Sequence, residues 1–83
     1  MSNTLFVGSL PWSVDERQLQ TVFEAYGTVV SAKIILDRIT GRSRGFGFVE
    51  MENSSEAEKA MKALNESELS GRKIIVNEAR ERS

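Results

Sequence analysis

The sequence predicts a small α+β domain. Four strands and two helices follow in the order βαββαβ, with both helices on one face of a single antiparallel sheet. Three observations predict it. Four stretches rich in β-branched and aromatic residues alternate with two stretches whose apolar residues recur at helical spacing. Each of those two helical stretches opens on a polar capping residue. The 83 residues suffice for one hydrophobic core and not for two.

Thr4–Gly8 is short and β-rich, and Ser9-Leu10-Pro11-Trp12 breaks it, because proline cannot sit in a central strand. Asp15 then caps a helix, with Gln18 placed as in a capping box and Val14 and Leu19 as a hydrophobic staple. Ser13 with Glu16 is a competing cap, but it would staple Trp12 to Arg17, a poorer pair. Leu19, Val22, Phe23 and Tyr26 give this helix one apolar face, and Gly27 is placed to end it as the C′ residue. Trp12 reads as a structural cover over the end of the sheet.

Val29–Leu36 is the second strand, Asp37–Ser43 a polar connection, and Arg44–Met51 a third strand despite two glycines. Asn53 with Glu56 makes a second capping box, and Ala57, Ala60, Met61 and Leu64 a second apolar helical face. After the polar connection Asn65–Gly71, Lys73–Val76 is the fourth strand. Two antiparallel neighbours and two crossovers in a chain this short give a ferredoxin-like, split βαβ sandwich whose second sheet face is open.

Side chains alternate along a strand, so Phe46, Phe48 and Glu50 share one face and Gly47, Val49 and Met51 the other. Val49 and Met51 suit the core, and Glu50 does not, which puts the two rings on the open face. Phe6 splits from Leu5 and Val7 in the same way, and Ile74 and Val76 split from Lys73, Ile75 and Asn77. Three of the four phenylalanines thus converge on one exposed surface, which marks an interaction site. Phe46 and Phe48 stand about 6.6 Å apart along the strand, a spacing that suits bases splayed one per ring. Gly45-Phe46-Gly47 is no phosphate-binding loop, since such loops follow a strand and open a helix. These glycines allow close packing of the sheet against the helices.

Arg44-Gly45-Phe46-Gly47-Phe48-Val49-Glu50-Met51 matches the octapeptide signature of the RNA recognition motif, and Leu5-Phe6-Val7-Gly8-Ser9-Leu10 resembles that family's hexapeptide. The resemblance spans residues 4 to 79. It implies a single domain over residues 1–83, with its core at 4–79 and a short tail at 80–83. The whole resembles a small stand-alone single-motif protein of bacterial type, similar to the motif half of glycine-rich RNA-binding proteins. Two positions depart from the family pattern. Met51 replaces an aromatic at a core-facing position, and Ser9 replaces an asparagine at the strand end.

The resemblance implies single-stranded RNA as the partner. Phe6 and Phe48 would stack on successive bases, and Phe46 would pack against sugars between them. Arg44 flanks the rings for a phosphate contact, and Arg42 in the preceding loop has the same reach. Lys33 and Ile35 of the second strand face the same surface, as do Glu50, Ile75 and Asn77. The segment 77–82 would cross the sheet edge, to contact RNA or cover the rings. Stacking contributes about 1–3 kcal/mol per base. A micromolar complex needs roughly 8 kcal/mol, so binding is weak to moderate.

With no His and no Cys, the commonest general base and the thiol nucleophile are both missing, as are disulfide and thiolate–metal chemistry. The expectation is a binding protein without cofactor, metal or enzymatic activity. Acylphosphatase-like enzymes share the predicted fold, but the loop after the first strand here carries no cation. A protein-binding module of the same architecture is the alternative reading, and single-stranded DNA an alternative ligand. No apolar run approaches the length of a membrane span, and no basic-then-apolar leader opens the chain, so a cytoplasmic monomer is expected. The net charge of −1 is segregated. Residues 33–44 hold four cations (Lys33, Arg38, Arg42, Arg44) and one acid, Asp37, whereas 50–68 hold six glutamates and two lysines.

Overall fold

The computed structural model describes residues 3–11, 13–41 and 43–79, with side chains for all of these but Ser43 and Arg44. Trp12, Arg42 and the tail 80–83 therefore lie outside the described residues. The elements are β1 (Thr4–Gly8), α1 (Glu16–Glu24), β2 (Val29–Leu36), β3 (Ser43–Met51), α2 (Ser54–Leu64), β4 (Glu68–Leu69), β5 (Arg72–Lys73) and β6 (Ile75–Glu78). Strands β2-β3-β1-β6 form one four-stranded sheet in that order, and every pair is antiparallel. The βαββαβ architecture is as the periodicities predict. One difference lies in the fourth strand, which begins at Ile75 rather than Lys73. Lys73 instead pairs with Glu68 in a separate β4–β5 hairpin. Ile74, wholly buried, joins hairpin to sheet.

The core lies between the helices and one sheet face. Leu5 and Val7 from β1, Ile34 from β2, and Val49 and Met51 from β3 meet Leu19 and Phe23 of α1 and Ala57, Ala60 and Leu64 of α2. Leu10, Val14, Ile74 and Val76 complete it. Met51 is fully buried, so its departure from the family aromatic is a matter of packing. Tyr26 packs against the core from the end of α1.

Both helices are capped where the sequence places the caps, but each box is half closed. The Gln18 N–H donates to Asp15 Oδ1 at 2.7 Å, and the Glu56 N–H to Asn53 Oδ1 at 2.9 Å. The reciprocal side chains go elsewhere. Gln18 Nε2 donates to Ser70 Oγ at 3.2 Å, and Glu56 Oε1 accepts from the Thr28 N–H at 3.1 Å. Side chains that could have finished a local motif are used to tie distant segments together.

Gly27 is not the αL residue expected at C′. Helix α1 ends at Glu24 with Ala25 as its C-cap, and Gly27 has no positive φ. Its requirement is space: a Cβ there would fall 2.5 Å from Glu56 Cδ, the carboxyl that holds Thr28.

Each edge strand has an outward N–H closed by a side chain. Glu16 Oε2 accepts from Ile34 on β2 at 3.1 Å, and Asn65 Oδ1 from Val76 on β6 at 3.0 Å. Such caps blunt edge-to-edge pairing with another sheet. No helix among the described residues is long and apolar enough to cross a membrane.

Candidate nucleic-acid interface

Register sets the site. Phe48 stands opposite Phe6 on one side and Lys33 on the other, and Phe6 stands opposite Asn77. One row across the open face therefore reads Lys33, Phe48, Phe6, Asn77. The row on one side holds Phe46, Gly8 and Ile75, and the row on the other Ser31, Glu50 and Thr4. All of these point away from the helices, because their neighbours Leu5, Val7, Ile34 and Val49 are buried beneath them.

The three rings form a nearly equilateral triangle. Centroids are 5.8 Å apart for Phe6–Phe46, 5.9 Å for Phe6–Phe48 and 6.4 Å for Phe46–Phe48. These separations lie within the range of favourable aromatic contacts, so the rings hold one another in place. Phe6 and Phe46 are inclined by only 29°, whereas Phe48 stands at 67° to Phe6 and 89° to Phe46. Flat groups lying on Phe6 and Phe48 cannot be parallel, which is the splayed geometry that strand spacing predicts. All three rings are half-buried, each offering surface to solvent.

Gly8 makes the triangle possible, a role that strand alternation alone does not reveal. A Cβ at Gly8 would lie 2.9 Å from Phe6 Cε2. The Phe6 ring leans over the vacant position toward Phe46, the cross-strand partner of Gly8. A glycine two residues after an outward-facing aromatic in β1 was the available signal.

The β3 glycines do not serve helix packing as expected. A Cβ at Gly47 would collide with the Lys33 carbonyl oxygen, so this glycine lets β2 approach β3. Gly45 has φ +87° and sits in an irregular stretch of the β2–β3 ladder, with its carbonyl accepting from the Leu10 N–H at 2.8 Å. The irregularity carries the strand from the loop onto the ring row.

Of the other predicted residues, Lys33 and Asn77 are exposed, and Ile35, Glu50 and Ile75 half-buried. The backbone of Arg44 runs in β3 two residues before Phe46, and its side chain lies outside the described set, as does Arg42. The loop after β2 is built rather than loose. Asp37 Oδ1 accepts from the N–H groups of Ile39 at 2.8 Å and Thr40 at 3.0 Å, and Gly41 takes φ +74°. This turn pushes Arg38 and Ile39 into solvent, Ile39 being 94% exposed. Of the acidic stretch, Glu50 stands on the ring face in β3, whereas Glu56 and Glu58 lie on α2, on the other side of the sheet; Lys62 pairs with Glu58 there at 3.0 Å. Among the described residues no cluster of His, Cys, Asp and Glu is arranged to hold a metal ion.

Residues 5–75 match the family model of the RNA recognition motif. The chloroplastic RNA-binding protein CP31B of Arabidopsis thaliana is 51% identical over 79 residues, which are 95% of this chain and 27% of that protein. Glycine-rich RNA-binding protein 7 of the same plant is 51% identical over 77 residues, 93% of this chain and 44% of that protein. The chain thus spans less than half the length of either relative. Among solved structures, the crystal structure of RNA-binding protein PG1 is similar with a TM-score of 0.92 at 50% identity, covering 99% of both chains. The Sxl-lethal protein–RNA complex is similar with a TM-score of 0.93 at 29% identity, covering all of this chain and 50% of that one.

Proposed function

This chain belongs to the RNA recognition motif family, and from that premise we propose that it binds single-stranded RNA on the open face of its sheet. The observation that carries this reading is the triangle of half-exposed rings, Phe6, Phe46 and Phe48, on the face opposite both helices. Bases stack on Phe6 and Phe48, whose inclination separates successive bases, and Phe46 packs against the sugar between them. Lys33, on the Phe48 row, reaches a phosphate, and Arg44 and Arg42 reach others. Ile35, Ile75 and Asn77 border the bound strand, and Glu50 faces it.

The energetics suit a modest binder. Two or three stacked bases supply about 2–9 kcal/mol before ordering costs. That range brackets the roughly 8 kcal/mol of a micromolar complex. Because stacking is tolerant of sugar and sequence, single-stranded DNA competes for the same rings. The proposed role is post-transcriptional binding by one domain over residues 1–83, monomeric and without catalysis. A cytoplasmic location goes with that reading, although relatives such as CP31B are named chloroplastic. The bacterial stand-alone kind is likewise a proposal beside relatives that are plant proteins.

Titration of the protein with a short single-stranded RNA, followed by amide shifts, tests the site. Shifts should centre on Phe6, Phe46, Phe48 and Lys33, and the double change Phe6→Ala with Phe48→Ala should abolish them while the fold persists. Shifts confined to helix residues would sink the sheet-face site and favour a protein-binding module.

A further inference from the structure

Glu50 is the anomaly on the open face. A surface that receives a polyanion carries a half-buried carboxylate two residues from Phe48 on the same strand. Its cross-strand neighbours are Thr4 on β1 and Ser31 on β2, neither of them a cation. Lys33 stands one row away, yet no ion pair joins them among the described residues, nor does any hydrogen bond hold the carboxylate. An unpaired negative charge here repels phosphate. Its use must lie with a part of the ligand that offers N–H donors.

A carboxylate is acceptor-only, with two oxygens set side by side. Watson–Crick edges of splayed bases are what such a surface reads. Guanine presents two adjacent donors on that edge, N1–H and the 2-amino group, and matches the fork bidentately. Adenine and cytosine place one amino group beside a ring-nitrogen acceptor, and uracil places one N–H between two carbonyls. Each of those acceptors faces the carboxylate repulsively. Bidentate charge-assisted pairs are the stronger ones and carry geometric specificity.

We infer that Glu50 selects guanine as the base stacked on Phe48, by accepting from its N1–H and 2-amino groups. This rests on the RNA-binding reading above and adds a base preference to it. The test uses three hexanucleotides: all uracil, uracil with one guanine, and uracil with inosine in place of that guanine. Inosine keeps N1–H and lacks the 2-amino group. The native protein should bind the guanine hexamer about tenfold more tightly than the inosine one. Glu50→Gln should lose that discrimination to within twofold while binding the all-uracil hexamer at least as well as the native protein. Equal native affinity for guanine and inosine, or full discrimination retained in Glu50→Gln, overturns the assignment. Native protein that binds none of the three overturns the RNA-binding reading itself, and this inference with it.

Discussion

The ring of Phe6 lies over Gly8, its Cε2 2.9 Å from where a Cβ would stand. Gly8 faces Phe46 across the β1–β3 ladder, so the missing side chain is what allows Phe6 and Phe46 to lie 5.8 Å apart. The ring platform depends on a residue that has no side chain to contribute.

Gly8→Ala should therefore impair binding without unfolding the protein. Gly8 has no positive φ, and the atom in the way is the far end of a side chain that can rotate. Loss of one well-placed stacking ring predicts about 1 kcal/mol of RNA affinity, roughly fivefold. Fluorescence titration beside a thermal melt would check it; unchanged affinity would show that the position of Phe6 over Gly8 is immaterial.

Gly47→Ala should be more damaging to the fold than Gly45→Ala. The first sets a methyl group against the Lys33 carbonyl, a backbone group that moves only with the strand. Overpacking of this kind costs about 1–3 kcal/mol or more. Among the described residues, Gly45→Ala meets no close atom other than the Leu10 carbonyl oxygen at 3.8 Å, and its positive φ costs about 1–2 kcal/mol. Urea denaturation of both variants would reverse this ordering only if β2 can slide away from β3.

Ser9 stands where the family pattern has asparagine, and its φ of 57° explains the preference. The left-handed region is strained for most L-residues and tolerated by asparagine. Ser9→Asn should stabilise the protein by up to about 1 kcal/mol. In a domain of this size that raises the melting temperature by roughly 4–8 °C. A lower melting temperature would mean that the Ser9 hydroxyl holds the turn.

RNA affinity should depend only mildly on salt. Lys33, Arg44 and Arg42 can neutralise three phosphates, and each single-strand phosphate contact adds about −0.7 to the slope of log K against log salt. The slope should be no steeper than about −2. A value near −4 would require a basic surface beyond these residues and would displace stacking as the main source of affinity.

Much of the molecule was legible in the chain. The alternation in β3 separates Val49 and Met51 from Phe46, Phe48 and Glu50, and the structure keeps that division because the side-chain period of a strand is two. Asp15 and Asn53 were legible as caps because capping is local chemistry. Their partners were not. Whether Gln18 closes its own box or reaches Ser70, 52 residues away, depends on where the hairpin lies.

What the sequence determined by itself is what neighbouring residues impose on one another: the βαββαβ order, the faces of each element and the aromatic identity of the open one. Tertiary structure decided everything that needs two strands at once. It set Phe6 beside Phe46 over Gly8 and removed the Cβ at Gly47 for the sake of the Lys33 carbonyl. It reassigned Gly27 from a helix end to a berth for Glu56, closed the edges with Glu16 and Asn65, and left Glu50 on a surface of rings with no partner among the described residues. The physical reason is that a glycine or a carboxylate carries no record of its partner. Only register and the distance between strands supply one.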